Sequence, residues 1–412
     1  MSGIKDARRL LFAKETTAGV RVPTATVLWR GEAEYEDQRE VVFPPEDIGL
    51  VAGADRNYVP KLLAAIRVSP TPLTFEQFPY LLAMGIKNVI TGVADGGGSG
   101  FLYTYPLPVT APTANVVKTY SPQVGDDNEA RWGAYAFADS IALEGKQSEA
   151  WMMSGGLALR DLPTTYYAAT TIAFVATGAH ITDSANGLGF LAVGDTFIVS
   201  GSAANSTTFT VASVVSAGDI TVSPAVTTES AGPSIVIRGQ FTPNVAIPSV
   251  EEALFSNTKL YIDAVGGTIG TTQKSNTLLS AKLAIAKTGW APRFNGDGNL
   301  YFSRITHTSE MEATLEITFE HDGVASLERY YFEKQTARQI RLQTNGSVFA
   351  VAGTKYSTKA LRIDLAGKWE KFSVLGEDSG NDIVTGTFRV RYNSTAALFA
   401  SIEVCNLLSA LP

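Results

Sequence analysis

The sequence holds one cysteine, Cys405, among 412 residues, so no disulfide can form within the chain. That fits folding in a reducing cytoplasm and excludes a small fold stapled by disulfides. Histidine is nearly as scarce. His180, His307 and His321 are the whole supply, and none has a second His or a Cys at zinc-ligand spacing. Charged residues make up only 18% and the net charge is −7, so no global basic field draws the chain to nucleic acid or an anionic membrane. No apolar run approaches the ~18 residues that a spanning helix needs. Met1 to Lys14 carries charges without an apolar core, so no signal peptide is expected. Catalytic signatures are missing as well. There is no nucleophile elbow, and Gly367-Lys368 lacks the upstream glycine of a phosphate-binding loop and runs into Trp369. The glycines after Asp95, Gly96 to Gly100 around Ser99, precede no helix and read as a mobile loop, not a phosphate cradle. Asn295-Gly296-Asp297-Gly298-Asn299 resembles the start of a calcium loop, but Thr306 stands where a bidentate Glu is needed, and the segment reads as a hairpin turn. No metal, cofactor or catalytic residue is therefore expected.

What is present is β-structure. A hydrophobic fraction of 45% is globular, and the length suits two or three domains. Residues 168–240 are rich in Thr, Ser, Ala, Gly and Val and nearly free of charge, with short β-branched runs such as Thr196 to Ser200 and Thr207 to Val215 divided by turn residues. They read as a small β-domain inserted between two larger units, 1–167 and 241–412. Each larger unit carries strands around one strand–helix pair. In the first, Lys61 to Val68 leads into a helical stretch, Thr74 to Met84, with Thr74 as cap and Pro79 inside the pattern. In the second, Met311 to Glu320 leads into Val324 to Lys334, capped by Asp322. There Val324, Leu327, Tyr331 and Phe332 read as a core-facing stripe. The order of strands and helix repeats, which implies a duplicated fold. Leu28 to Glu36 and Val41 to Phe43 look like paired strands of the first copy, and Phe101 to Leu107 looks like a later one. The five tryptophans, Trp29, Trp132, Trp151, Trp290 and Trp369, fall inside strand patterns, where packing is the expected role.

Two rows of glutamates stand out. On the second-unit strand, Met311, Ala313, Leu315, Ile317 and Phe319 share one face, while Glu310, Glu312, Glu316 and Glu320 share the other. In the first unit Glu32, Glu34 and Glu36 alternate with Ala33 and Tyr35. Like charges side by side on a sheet repel. Two readings stay open: a solvated face to which neighbouring strands supply Lys or Arg, or a surface kept acidic for a purpose.

The chain resembles the major tail tube proteins of long-tailed bacteriophages. The likeness lies in the opening Leu11 to Pro23, with Lys14-Glu15, Gly19 and Pro23, in the strand–helix run Ala65 to Met84, and in the insert's Val193 to Gly201 and Gly218 to Val222. The resemblance implies two tail-tube-type β-sandwich units, each with a short flanking helix, and a structural virion protein. Such proteins self-assemble into rings that stack into a tube for double-stranded DNA ejection, touching DNA only transiently and without sequence preference. It implies trimeric rings with pseudo-sixfold symmetry, hexamers being the alternative, and further partners in the tape measure, tail terminator and tail tip proteins. Assembly in the bacterial host cytoplasm and residence in the phage tail follow from it. On this reading Glu310, Glu312, Glu316 and Glu320, with Glu32, Glu34 and Glu36, are lumen-facing candidates. A basic lining would hold phosphates through counterion release, and an acidic one lets DNA slide. The polar loop Pro44 to Pro60, with Asp47, Asp55, Arg56 and Asn57, and an N-terminal arm, 1–23, are candidates for contact between rings. Deleting residues 2–20 is then expected to leave a folded protomer that cannot polymerise. The insert is expected on the tube exterior. Another tail, connector or baseplate protein is one competing function. A carbohydrate-binding β-protein, using the tryptophans as stacking platforms, is another.

Overall fold

The computed structural model describes residues 3–110, 112 and 117–412. The protein is mainly β, with 47% of residues in strands and only two α-helices among the described residues, so sheet pairing has to carry the tertiary structure. The first part of the chain forms β1 (Arg9–Lys14), β2 (Val27–Leu28), β3 (Ala33–Asp37), β4 (Glu40–Val42), β5 (Tyr58–Lys61), β6 (Ala64–Pro72), α1 (Phe78–Gly85), β7 (Val93–Ala94), β8 (Phe101–Pro106), β9 (Tyr120–Gly125), β10 (Ala130–Trp132), β11 (Phe137–Lys146) and β12 (Met152–Leu159). The middle part gives β13 (Tyr167–Ala169), β14 (Ile172–Val175), β15 (His180–Asp183), β16 (Thr196–Ser200), β17 (Thr208–Ser216), β18 (Asp219–Ser223) and β19 (Ile235–Gln240). The last part gives β20 (Thr258–Ala264), β21 (Gln273–Lys274), β22 (Leu278–Lys287), β23 (Trp290–Arg293), β24 (Arg304–His307), β25 (Glu312–Glu320), α2 (Gly323–Glu333), β26 (Arg338–Val348), β27 (Thr358–Phe372), β28 (Gly376–Asp378), β29 (Asn381–Val390) and β30 (Ala400–Asn406).

The same topology occurs twice. One sheet runs β10-β9-β1-β2, and its counterpart runs β27-β26-β20-β21. A second layer runs β3-β6-β12-β11 in the first repeat and β22-β25-β29-β27 in the second. Long β27 serves both layers, pairing β26 through its first half and β29 through its second. In each repeat a hairpin, β4–β5 or β23–β24, interrupts the chain between the first two strands of that layer. The correspondence reaches single residues. The β11–β12 ladder shifts register between Ala138 and Ser140, and the β27–β29 ladder shifts between Trp369 and Lys371. Each shift leaves one exposed acid, Asp139 or Glu370, as the extra residue of a bulge. Ala138 opposite Leu157 and Trp369 opposite Phe388 therefore occupy matching core positions.

The two layers of the repeats merge. β11 pairs antiparallel with β22, with Leu143 opposite Leu283 and Ile141 opposite Ile285, so one sheet continues from β3 to β27. Its inner face is the core. Ala313, Leu315, Ile317 and Phe319 of β25 are buried there, and each large side chain contributes roughly 1.5–3 kcal/mol by leaving water. Both helices follow from local signals. α1 begins at Phe78, four residues later than the expected start at Thr74: the Thr74 hydroxyl accepts from the Gln77 amide at 3.2 Å in the turn before the helix, the N-cap position is Gln77 without a side-chain cap, and Pro79 lies in the first turn, where a missing N–H costs nothing. All eight α1 residues are buried. The Asp322 carboxylate caps α2 by accepting from Val324 and Ala325 amides at 2.8 and 2.9 Å.

Several expectations are corrected. Residues 9–14 of the supposed N-terminal arm, 1–23, are β1, an interior strand between β9 and β2 with Leu10, Leu11, Phe12 and Ala13 buried. Met1 and Ser2 of that arm lie outside the described residues. The segments taken as one strand pair, Leu28 to Glu36 and Val41 to Phe43, divide three ways: β2 joins β1, β3 joins β6, and β4 joins β5. β8 does not complete the first repeat. It crosses to β30, with Tyr103 opposite Val404, and stitches the two repeats together. The glycine turn at 96–100 is anchored to the second repeat, since buried Asp95 accepts from the Lys355 and Tyr356 amides and the Ser99 amide donates to the Val351 carbonyl at 3.0 Å. On α2 the buried positions are Ala325 and Glu328, while Leu327 is exposed. The core-facing stripe is therefore rotated from Val324, Leu327 and Tyr331. A short buried strand such as β1 shows no alternation, and a buried Glu defeats a hydrophobicity pattern.

The seven-stranded sheet β13-β19-β16-β17-β18-β15-β14 is built wholly from residues 167–240. Its core, around Phe174, Phe197 and Phe209, is continuous with Leu11, Ala130 and Trp132 of the first repeat. The Arg21 guanidinium pins the junction by donating to the Asp195 carboxylate at 2.5 and 2.6 Å.

Candidate assembly surfaces

The opening motif is structural. The buried Glu15 carboxylate accepts from Thr119 Oγ1 at 2.7 Å, Ser121 Oγ at 2.9 Å, the Tyr135 amide at 2.7 Å and the Gly19 amide at 2.7 Å. Gly19 turns with φ +80, a left-handed conformation that favours glycine. Lys14 Nζ reaches the Leu411 carbonyl at 3.0 Å and ties the start of the chain to its end. These residues therefore build a corner between β1, β9 and β11.

The outer face of the long sheet is open, and it carries both glutamate rows. Directly opposed residues on neighbouring strands share a face. Glu316 is opposite Lys282, Lys282 opposite Glu144, and farther along Glu34 is opposite Arg67. Glu312, Glu316, Glu320, Glu34 and Glu36 thus lie on one side of one sheet. Glu310 precedes β25 and is exposed, and Glu32 precedes β3. The surface is mixed in charge, not acidic. Lys287 lies 3.3 Å from Glu312, Arg391 3.0 Å from Glu310, and Arg67 3.6 Å from Glu36. Glu144 sits 3.0 Å from Lys146 and 3.8 Å from Lys282. The hydrogen bond from Lys146 holds the Glu144 carboxyl below the usual carboxylate range, with Lys282 adding to it. Glu32, Glu34, Glu316 and Glu320 have no ion-pair partner among the described residues. Neighbouring strands do supply cations, which favours the solvated-face reading for much of this surface.

The cations on β27 differ. Lys368 and Lys371 on its second half, and Arg389 beside them on β29, have no ion-pair partner among the described residues. This strand and β3 are the two ends of the open-faced layer. Among the described residues no strand pairs with the outer side of β3 or of β27 beyond Gly367, and natural sheets cover or pair such edges.

The loop 44–60 is the distal part of the β4–β5 hairpin, since β5 begins at Tyr58. Asp47, Asp55, Arg56 and Asn57 are all exposed on it, and Arg56 pairs with Glu46 at 2.6 Å. The polar candidates do not form a cluster of their own. The larger signal there is apolar: Phe43, Ile48, Leu50, Val51 and Tyr58 are all exposed. A contiguous exposed apolar projection marks a contact surface. The sequence carried that signal at Ile48 to Val51.

All five tryptophans are buried, so none presents a stacking face to a sugar. Cys405 is fully buried among Phe349, Tyr356 and Ala360, and burial pushes its thiol up to about 12. It should not react with an aromatic disulfide reagent in the native state and should react fully in denaturant; rapid native labelling would contradict this packing. Among the described residues no group of His, Cys, Asp and Glu could hold a metal ion. Among the described residues no helix is long and apolar enough to cross a membrane. No protein-family model matches the chain, and no curated protein matches it in sequence.

Proposed function

We propose that this protein is a structural subunit that polymerises through its sheet into stacked rings, forming the tail tube of a bacteriophage through which double-stranded DNA is ejected. The observation that carries this reading is the β11–β22 joint. Two copies of one fold are already joined edge to edge in one chain, with their open faces on the same side. Repeating that joint generates a closed wall with no free edge. Three chains would then give pseudo-sixfold rings.

The charge pattern of the open face suits a DNA conduit in a way the glutamate rows alone did not suggest. A free cation binds phosphate by releasing counterions. Here Lys146, Lys287 and Arg67 each lie beside a glutamate, while the unpaired cations Lys368, Lys371 and Arg389 are confined to the β27 end of the layer. Glu310, Glu312, Glu316, Glu320, Glu32, Glu34 and Glu36 are proposed to face the lumen. The apolar tip of the β4–β5 hairpin, with Asp47, Asp55, Arg56 and Asn57 around it, is proposed to meet the adjacent ring. The β13–β19 sheet is proposed to sit outside, and tape measure, terminator and tip proteins to bind the assembled tube.

Concentrated purified protein should form long hollow tubes in negative stain. Monomers throughout, or closed single rings only, would overturn the reading, the rings in favour of a connector. Leu50→Asp combined with Val51→Asp should stop elongation while shifting stability by no more than about 0.5 kcal/mol, as for exposed positions. Unchanged tube lengths would remove the tip from the contact.

A further inference from the structure

We infer that the next copy of this chain is joined by the same contact that joins the two repeats within it: β3 pairs antiparallel with the segment of a second copy that runs from the end of β27 at Phe372 to the start of β28 at Gly376, and the β4–β5 hairpin clasps that copy around Arg391 and Tyr392. The inference rests on the self-assembly proposed above and adds its strands, register and partners.

The internal repeat fixes the register. Ile66 lies opposite Leu157 and Tyr35, and Leu315 lies opposite Phe388 and Leu283. Tyr35 is thus the counterpart of Leu283. Counting from the matched bulges, Val374 is the counterpart of Leu143. Leu143 and Leu283 are opposed across the internal joint, so Tyr35 comes opposite Val374 in the joint between copies. Both are exposed now, Tyr35 at 40% and Val374 at 85%. Strand direction agrees. Neighbours alternate from β3 through β6, β12, β11, β22, β25 and β29 to β27. The two terminal strands are therefore antiparallel, and a rotated copy meets them correctly as a head-to-tail contact.

Charge is complementary. The same register sets Ser373 opposite Glu36 and brings Lys371 diagonal to it, with Lys368 farther along toward Glu40. Unpaired cations of one edge thus approach glutamates of the other, each of which has one cation beside it in its own chain, Arg67 at 3.6 Å from Glu36 and Lys61 at 2.8 Å from Glu40.

The clasp follows from the second hairpin. β23–β24 folds over the first repeat, where Trp290, Phe302 and Ile305 pack on Tyr135 and Phe137. Arg160 secures it by donating to the Phe302 and Ser303 carbonyls at 3.0 and 3.1 Å. Arg391 stands at the matching position, three residues beyond Phe388 as Arg160 stands three beyond Leu157. Concave surfaces of about 570 and 480 Å³ flank it, both lined by Tyr392. The matching hairpin, β4–β5, leaves Val41, Phe43 and Tyr58 exposed.

The test is oxidative cross-linking of Tyr35→Cys/Val374→Cys under assembly conditions, read on non-reducing gels beside electron microscopy. The double variant should give a ladder of covalent oligomers, and each single variant should remain a monomer on the gel. Rings or tubes without that ladder would overturn this joint and leave the proposed function standing. A Tyr35→Cys single variant that dimerises would overturn it in favour of a two-fold contact. Failure of the unmodified chain to assemble at all would overturn both. Independently of cysteine chemistry, Lys371→Glu should reduce assembly at least tenfold, and Glu36→Lys with Lys371→Glu should restore it. Equal loss in the single and double variants would overturn the pairing.

Discussion

Deleting residues 2–20 should unfold the first repeat and leave no assembly-competent protomer. The deletion removes β1, which lies between β9 and β2. It takes Leu10, Leu11 and Phe12 out of two cores, since Phe12 belongs to the main cluster and Leu11 to that of the β13–β19 sheet. Truncating one such side chain costs about 2–5 kcal/mol. Three together match the roughly 5–15 kcal/mol by which a domain is stable at all. The polar losses add to this. Without Glu15, the Thr119 and Ser121 hydroxyls and the Tyr135 amide lose their acceptor inside the protein, and an orphaned buried donor costs about 1–3 kcal/mol. Circular dichroism through a thermal ramp measures the outcome. A cooperative transition within a few degrees of the full-length chain would show that β1 is dispensable and would return it to the role of a free arm.

The parts of the fold legible in the sequence were those written in a short period. The alternation from Met311 to Phe319 marked β25, and Asp322 marked the start of α2 within one residue. The recurrence of strand and helix pointed to duplication, and the charge-poor, β-branched stretch marked β13–β19. What stayed hidden depends on partners far away in sequence. Tyr103 pairs with Val404, and nothing local in Phe101 to Pro106 names that partner. Leu10 to Ala13 is apolar throughout and bounded by charges, so it offered no period by which to separate a buried strand from an arm. The matched bulges at Asp139 and Glu370 are invisible without the ladders that reveal them.

The assembly surfaces were legible only in half. The glutamates could be placed on one face from alternation alone, but their neutralising cations lie on other strands, as Lys287 does for Glu312 and Arg67 for Glu36. The rows by themselves are therefore more acidic than the face that carries them. Conversely, Lys368 and Lys371 form no pattern in the sequence that marks them as unpaired, because an edge strand is an edge only once the sheet is known. The proposed joint between copies would bring these cations beside β3, whose Glu34 has no ion-pair partner among the described residues.

Changing Arg338 to Met alone should destabilise the protein by about 3–5 kcal/mol, the usual cost of leaving one member of a buried ion pair uncompensated. Arg338 binds Glu328 through two bonds, Nη2 to Oε1 at 2.8 Å and Nε to Oε2 at 3.1 Å, and the Trp369 indole donates to the same carboxylate at 3.0 Å. The guanidinium also lies 4.2 Å from the Tyr331 ring centre. Glu328→Leu alone should be costly as well, because it strands a guanidinium and an indole N–H. Making both changes should recover most of the loss, since an apolar pair of similar volume has no charge to desolvate. Urea denaturation of the three variants gives the coupling directly. Single effects below about 1 kcal/mol, or a double variant as unstable as the sum, would show that the pair is not a closed unit. The position gives the measurement a second use. Glu328 holds α2 against Trp369, in the half of β27 that carries Lys368 and Lys371. If the pair only clamps the helix, the double variant should assemble as the unmodified chain does. If each single variant also lowers assembly in proportion to its instability, the edge strand is held in shape from behind by this buried charge.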